Sequence, residues 1–292
     1  MTAFQGYDII GDVHGQATQL ETLLRALGYR QSSQGVWGHK QRQALFVGDL
    51  IDKGPDPAGA LVLVYRMIEA GHARMVVGNH ELNWIQQAAD HTNDIQSFLD
   101  ATAKHHSRFP LVERYQYEPE TLLRLFNWLR RQPIYIDEPN LRVVHACWDQ
   151  ASINCLRKNG IHTLDDVALA AYRTTYSPVY FALDMVIAGC EHSLPGAANV
   201  ENFRTQRRRI RWWNKAAARV NPIELQPVQG RHPGYPEDAP AVFFGHYALV
   251  DQPRAMAHNQ ASVDYSAVYG GPLVAYRYTP GQRLSDDHFV AV

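Results

Sequence analysis

Apolar and polar positions switch between two periods over the first eighty residues. Tyr7–Ile10 is a short apolar run closed by Gly11, the pattern of a buried strand. Leu20, Leu23, Leu24 and Leu27 then fall on one helical stripe, with Gly28 where a C-terminal cap belongs. Ala44–Val47 predicts a second strand, stopped by Gly48. Asp56-Pro57 opens a helix with a capping carboxylate and a proline in the first turn. Leu61, Val64, Tyr65 and Ile68 supply its apolar face, and Gly71 ends it. Met75–Val77 predicts a third strand, ending at Gly78. Strand, helix, strand, helix, strand is a βαβαβ arrangement with a mainly parallel sheet.

The pattern turns more helical beyond this point. Thr121–Gln132 carries Leu122, Phe126 and Leu129 at helical spacing and is stopped by Pro133. Ile134–Ile136 and Leu141–Val144 predict strands on either side of the turn Glu138-Pro139-Asn140. A helix over Leu164–Tyr176 and a strand over Ile210–Trp213 are expected next. Pro227, Pro233, Pro236 and Pro240 mark an irregular loop. Strands resume at Val242–Phe244, Ala261–Asp264 and Leu273–Tyr278. No repeat, low-complexity tract or linker divides the chain. A single domain over 1–292 is expected, with helical or irregular cap insertions at about 85–132 and 149–240.

The polar residues fall at the ends of these strands. Asp12 and His14 follow the first, in Gly11-Asp12-Val13-His14-Gly15. Asp49 and Asp52 follow the second, in Gly48-Asp49-Leu50-Ile51-Asp52-Lys53-Gly54. Asn79, His80 and Glu81 follow the third, directly after Gly78. His145 ends the Leu141–Val144 strand, and His246 follows Val242–Phe244 after Gly245. Ligands bind at the carboxyl ends of strands in open α/β sheets, so five strands deliver Asp, His and Asn side chains to one rim. Divalent ions such as Mn²⁺, Fe²⁺ or Zn²⁺ accept this mixture of carboxylate, imidazole and amide. A carboxylate has two oxygens and can bridge two ions. Two ions roughly 3.5–4 Å apart can share a water and hold phosphate oxygens together.

Composition narrows the class. Cys147, Cys155 and Cys190 are an odd count without CxxC spacing, which argues against a disulfide framework and suits a reducing, cytoplasmic setting. No stretch approaches ~18 uninterrupted apolar residues, so no membrane partner is expected. A net charge of −1 gives no field toward nucleic acid. Arg204, Arg207, Arg208, Arg209 and Arg211 form a basic cluster beside Trp212 and Trp213, too small for a dedicated nucleic-acid surface. His91 and the pair His105-His106 lie in a polar helical stretch and read as surface residues, and Trp84 as packing for the following helix.

The series Gly-Asp-Val-His-Gly, Gly-Asp-Leu-Ile-Asp-Lys-Gly, Gly-Asn-His-Glu, Val-Val-His-Ala and Gly-His resembles the calcineurin-like metallophosphoesterase superfamily. Within it the chain is similar to the phosphoprotein phosphatase family, which includes bacterial serine/threonine phosphatases and symmetrical diadenosine tetraphosphatases. The segment from Val263 to Leu273 resembles that family's last core hairpin. The likeness covers roughly residues 7–84, 134–148 and 242–279.

The resemblance implies an α/β, four-layer fold: a central β-sandwich of two mixed sheets flanked by helices. It implies that Asp12 and His14 bind one metal, that Asn79, His145 and His246 bind another, and that Asp49 bridges them. His80 would act as general acid, with Asp52 holding its imidazole, while a metal-bound hydroxide attacks phosphorus in line. The family's phosphate-gripping arginine is Lys53 here, which has charge but no bidentate fork. Arg211 is the first candidate for a second phosphate contact, with Arg209 close behind and Tyr269 a further one. Cys147 reads as buried packing. Manganese is the first expectation for both ions, with an iron–zinc pair as alternative. A phosphorylated substrate, protein or nucleotide, follows. Serine/threonine phosphoprotein comes first, then a dinucleoside tetraphosphate, then a polynucleotide end. A catalytically silent metallo-scaffold is disfavoured because every ligand and the acid pair are present.

Overall fold

The computed structural model describes residues 4–189, 191–193, 207–213 and 234–292. Cys190, Arg204, Pro227 and Pro233 lie outside the described residues, as do the side chains of Arg207 and Arg208.

The chain opens with β1 (Gly6–Ile10), α1 (Ala17–Ala26), a small pair β2 (Arg30–Gln31) and β3 (Trp37–Gly38), and β4 (Arg42–Phe46). Next come α2 (Pro57–Glu69) and β5 (Ala73–Met75). Asp56 caps α2 as its sequence demands, its Oδ1 accepting the Gly59 N–H at 2.7 Å. Four helices follow: α3 (Asn79–Ala88), α4 (Ile95–Ala103), α5 (Phe109–Tyr115) and α6 (Pro119–Leu129). Then come β6 (Tyr135–Glu138), β7 (Leu141–Val144), α7 (Gln150–Lys158), α8 (Asp166–Arg173) and α9 (Pro178–Ile187). The described remainder holds β8 (Glu191–Ser193), β9 (Arg207–Arg209), β10 (Ala241–Phe244), β11 (Gln260–Ser262), β12 (Val274–Tyr278) and β13 (Phe289–Ala291).

Two sheets carry the architecture. The first runs β13-β12-β1-β4-β5, with β1, β4 and β5 parallel and the other two strands antiparallel. The second runs β11-β10-β7-β6, parallel except for β6. Alternation along each strand decides what it faces. Ile9, Leu45 and Tyr276 point into one cluster with Val143, Phe243 and Ala261 of the second sheet. Their neighbours Ile10, Phe46 and Ala275 point the other way and join Leu20 and Leu24 of α1 and Leu61 of α2. On the second sheet, Val144, Val242 and Phe244 belong to the cluster that holds Ile153 and Leu156 of α7 and Val186 of α9. The result is helix, sheet, sheet, helix: the four-layer α/β sandwich of two mixed sheets expected from the motifs. Each fully buried side chain such as Phe243 contributes about 2–3 kcal/mol of transfer free energy to this core.

Several elements depart from the expected pattern. The third strand stops at Met75, and the Val77 N–H turns to the Pro133 carbonyl at 3.0 Å. No strand forms over Ile210–Trp213. Adjacent strand residues point to opposite faces, yet the Trp212 and Trp213 rings both meet Phe244, at 4.9 and 5.0 Å, which requires a turn. The Val263–Leu273 segment is not a hairpin. It carries the chain from β11 in the second sheet to β12 in the first, through a 3-10 turn at Ala267–Tyr269. The helix expected over Leu164–Tyr176 is the shorter α8, capped by Asp165, and α7, α9 and the edge strand β13 carried no predicted element.

Candidate metal centre

The candidate ligands sit where strands end. Asp12 follows β1, Asp49 follows β4, Asn79 opens α3 after β5, His145 follows β7 and His246 follows β10. The loops that carry them are bent into the left-handed region, at φ 43 for His14, 52 for Asp49, 67 for Asp52, 64 for Lys53 and 72 for His246. An L-residue held there stores ~1–3 kcal/mol, which persists only where surrounding contacts over-determine it. At two of the glycines beside the donors a carboxylate takes the place of a side chain. A Cβ on Gly78 would lie 2.2 Å from Asp49 Oδ1, and one on Gly245 would lie 2.0 Å from Asp12 Oδ1.

Asp49 is the hub. Its Oδ2 is 3.5 Å from His14 Nε2, 3.5 Å from His145 Nε2 and 4.0 Å from His80 Nε2. The far nitrogens fix the rings. His14 Nδ1 donates to the Ile51 carbonyl at 3.0 Å, and His145 Nδ1 to the Val47 carbonyl at 2.7 Å. Backbone bonds of this kind leave Nε2 of each imidazole to face the cluster. Asn79 Oδ1 lies 3.1 Å from His145 Nε2 and 2.8 Å from His246 Nδ1. Asp12 completes the rim, with Oδ2 accepting the His246 backbone N–H at 3.1 Å. Donor atoms of His14, Asp49 and His80 form one compact group, and those of Asp49, His145 and His246 a second, so Asp49 is common to both.

Electrostatics shows why such a cluster wants cations. Burial pushes the Asp12 carboxyl well up, helped by the neighbouring Asp264 and Asp49. Asp264 is itself raised by burial, even though the N–H groups of Ala248 and Ser266 donate to it. Burial drives His14 down to about 4, and Lys53 adds to that, so its ring is neutral. Burial and the Arg209 charge likewise hold His246 well down. His145 goes the other way. Burial opposes its charge, but Asp49 and then Asp12 outweigh it and hold the imidazole up at about 9. Asp49 is held well down, because the imidazoles of His145 and His80 overcome its burial. Buried carboxylates interleaved with imidazoles, two held neutral and one held charged by Asp49, are a donor set suited to divalent ions.

His80 stands apart. Its Nδ1 donates to Asp52 Oδ2 at 2.7 Å, and its ring meets His14 edge to face at 4.7 Å. Asp52 lies well below the usual carboxylate range, since hydrogen bonds from His80 and Arg108 overcome its burial. Lys53 and Arg209 are the cationic residues, among those described, that line a cavity of about 90 Å³ with Asp12, His14, Asp49 and His246. Lys53 Nζ is 2.9 Å from His14 Nε2 and sits over the Tyr269 ring at 5.5 Å. Tyr269 is 71% exposed at the mouth, so it does not pack the core.

Arg211 is not at this site. It lines a different cavity, with Trp213, Tyr235 and Asp251. β9 ends at Arg209 and the chain turns, so the two arginines part. Arg209 reaches the cavity and donates to the His246 carbonyl. Cys147 is buried in the core, and Trp84 packs on Phe98 and Phe126. His91 bonds to Ser97 and His105 to Ser107, and His105 is half-buried within electrostatic reach of Arg108, Asp52 and His80.

Three organising residues carry no role in the sequence reading. Glu81 is fully buried, and its carboxylate accepts the N–H groups of Gly78, Asp49 and Leu50 at 2.8–2.9 Å, tying two ligand loops together. Its place in Gly-Asn-His-Glu was the available signal. Asp264 accepts from Ala248 and Ser266 and so braces the loop after His246. Arg108 pairs with Asp52 from the helical insertion, and nothing in its local sequence marks it.

A two-sheet sandwich with a carboxylate-centred donor rim at its strand ends defines a metallophosphoesterase, a phosphoric ester hydrolase by class. The comparisons agree. Residues 7–249 match the calcineurin-like phosphoesterase family. The symmetrical bis(5'-nucleosyl)-tetraphosphatase of Salmonella paratyphi C is 26% identical over 295 aligned positions, covering 94% of this chain and 92% of that one. The asymmetrical enzyme of that name from Oceanobacillus iheyensis is 47% identical over 74 residues, 25% of this chain and 29% of the relative. Among solved structures, a cold-active protein-tyrosine phosphatase from a Shewanella species shares the fold at TM-score 0.53 and 19% identity. That match covers 97% of this chain and 81% of that one. The chain belongs to the calcineurin-like phosphoesterase family. Among the described residues, no helix is long and apolar enough to cross a membrane.

Proposed function

We propose that the chain hydrolyses phosphoesters or phosphoanhydrides at a two-metal centre formed by Asp12, His14, Asp49, Asn79, His145 and His246. The observation that carries this is the Asp49 carboxylate shared by two compact donor groups. One site takes Asp12, His14 and Asp49. The other takes Asp49, Asn79, His145 and His246. Bound divalent ions supply charge for the phosphoryl oxygens and activate the attacking water. Manganese suits this thiolate-free set of oxygen and nitrogen donors best.

The chain's own residues do the rest. Lys53 and Arg209 neutralise the phosphoryl oxygens in the cavity, Arg209 taking the place first expected for Arg211. His80 carries its Nε2 proton toward the leaving oxygen, while Asp52 holds the Nδ1–H and stabilises the charged ring. The strained loops hold the donors in place before substrate arrives, so little reorganisation remains. We read residues 1–292 as one unit whose insertions, about 85–132 and 149–240, select the substrate. The cysteine usage supports a cytoplasmic site of action.

The near full-length match to a symmetrical tetraphosphatase supports a dinucleoside tetraphosphate as the first substrate class. A phosphomonoester, such as a phosphoserine or phosphothreonine protein, is the second. It is favoured by the narrow cavity at the donor rim, where Lys53 and Arg209 stand beside Asp12 and Asp49. Metal-stripped protein reloaded with Mn²⁺ tests the reading against diadenosine tetraphosphate, a phosphothreonine peptide and a 3′-phosphorylated oligonucleotide. Preferential cleavage of the first is expected. Preference for the peptide selects the second class, and failure on all three and on p-nitrophenyl phosphate leaves only the silent scaffold.

A further inference from the structure

Arg108 is fully buried, at the end of the 3-10 turn His106–Arg108 that leads into α5. Its guanidinium forms a planar fork on Asp52, with Nε to Oδ1 and Nη2 to Oδ2, both at 2.9 Å. Nη1 donates to Gln87 Oε1 of α3 at 2.6 Å, and Nη2 also approaches the His80 carbonyl at 3.4 Å. Asp52 Oδ2 therefore serves two donors, Arg108 and the His80 ring, while Oδ1 is held by Arg108.

This geometry constrains more than charge. Asp52 is fully buried and sits at φ 67, on a loop that does not by itself fix the carboxylate plane. A bidentate guanidinium fixes that plane, which a point charge cannot do. The plane of Asp52 then sets the direction of the His80 Nδ1–H bond, and so the direction in which Nε2 points. A misplacement of about 1 Å at a reacting group costs roughly 10²-fold in rate.

We propose that Arg108, supplied by the helical insertion, is a positioning residue for the Asp52–His80 pair, so that the insertion sets the geometry of proton delivery. This rests on the reading of His80 as the proton donor. The rival role for Arg108 is a buried ion pair that only anchors the insertion to α3. An anchor would slow every substrate alike. A positioning residue acts most where the leaving group most needs a proton.

The test compares wild type, R108A, R108K and H80N, each loaded with Mn²⁺ and assayed for metal content. Phenyl phosphate and p-nitrophenyl phosphate have nearly the same shape but a poor and a good leaving group. R108A should lose about 10²-fold in kcat on the phenyl ester and about tenfold or less on the nitrophenyl ester, with KM and metal content unchanged. R108K should show the same split at smaller size. Equal loss on both esters, in R108A or in R108K where R108A fails to fold, overturns the proposal. H80N separates the two readings, because equal loss there removes the proton-donor role itself. Proton NMR supplies a readout without turnover: a low-field Nδ1–H signal that H80N abolishes should shift in the Arg108 variants. An unchanged signal also overturns the proposal.

Discussion

The two sides of Asp49 are finished differently. On one side, the strand-end rim gathers Asp12, Asp49 and Asp264 around neutral His14 and His246 and a His145 held charged by Asp49, and burial pushes Asp12 and Asp264 up. On the other, Asp52 is fully buried yet held well down, because His80 and Arg108 satisfy it within the chain. The backbone is strained on both sides, at His14, Asp49 and His246 as at Asp52 and Lys53. The difference lies in the counter-charge. On the proposed reading, ions complete the rim, whereas Asp52 already has its partners within the chain. Damage to the rim should therefore show in metal content, and damage to the acid pair in rate alone.

The largest effect belongs to Asp49. D49A removes the one carboxylate common to both donor groups, so both ions should be lost. Activity should fall by at least the ~10³-fold that losing a single preorganised electrostatic contact can cost. H80N comes next. It should lower turnover of a poor leaving group by about 10²–10⁴-fold with both ions retained, which mass spectrometry under native conditions can show. If H80N loses metal as well, the two sides are not separable in the way drawn here.

A smaller effect distinguishes the two arginines. R209A should weaken phosphate inhibition by roughly tenfold, about 1.4 kcal/mol, a modest share of a charge-assisted contact. R211A should stay within about twofold, since Arg211 lines another cavity. Equal sensitivity to inorganic phosphate would return Arg211 to the site.

The smallest signal is a proton count. His145 is held up at about 9, so it is protonated at neutral pH in the ion-free chain. Its Nε2 must release that proton to coordinate. Ion binding at pH 7 should therefore expel at least one proton, and affinity should rise with pH toward about 9. Calorimetry in buffers of different ionisation enthalpy measures this directly. Proton uptake, or affinity that is flat between pH 7 and 9, would contradict the assignment of His145.

The rim was legible in the sequence because local rules carry it. Asp12, Asp49, Asn79 and His246 each follow an apolar run of strand length and a glycine, His145 follows its strand directly, and Gly78 and Gly245 mark places where a carboxylate comes too close for a side chain. Helix α1 was legible for the same reason, through the stripe at Leu20, Leu23 and Leu24, whereas α7 and α9 were not. What was not legible depends on distance along the chain. Arg108 lies 56 residues from Asp52 and gains its meaning only when the insertion folds back. Arg211 is the first phosphate candidate in the sequence by its place before Trp212 and Trp213. A turn that lets both Trp212 and Trp213 meet Phe244 redirects it and leaves Arg209 in place. The Val263–Leu273 link likewise reads as a hairpin until pairing assigns its two strands to different sheets.

The central claim is that one carboxylate, Asp49, serves two ions. Titrating metal-stripped protein with Mn²⁺ by calorimetry, with wild type and D49A compared side by side, tests it most directly. Two ions per wild-type chain and loss of both in D49A are expected. A single ion in wild type, or one ion still bound tightly by D49A, would contradict it.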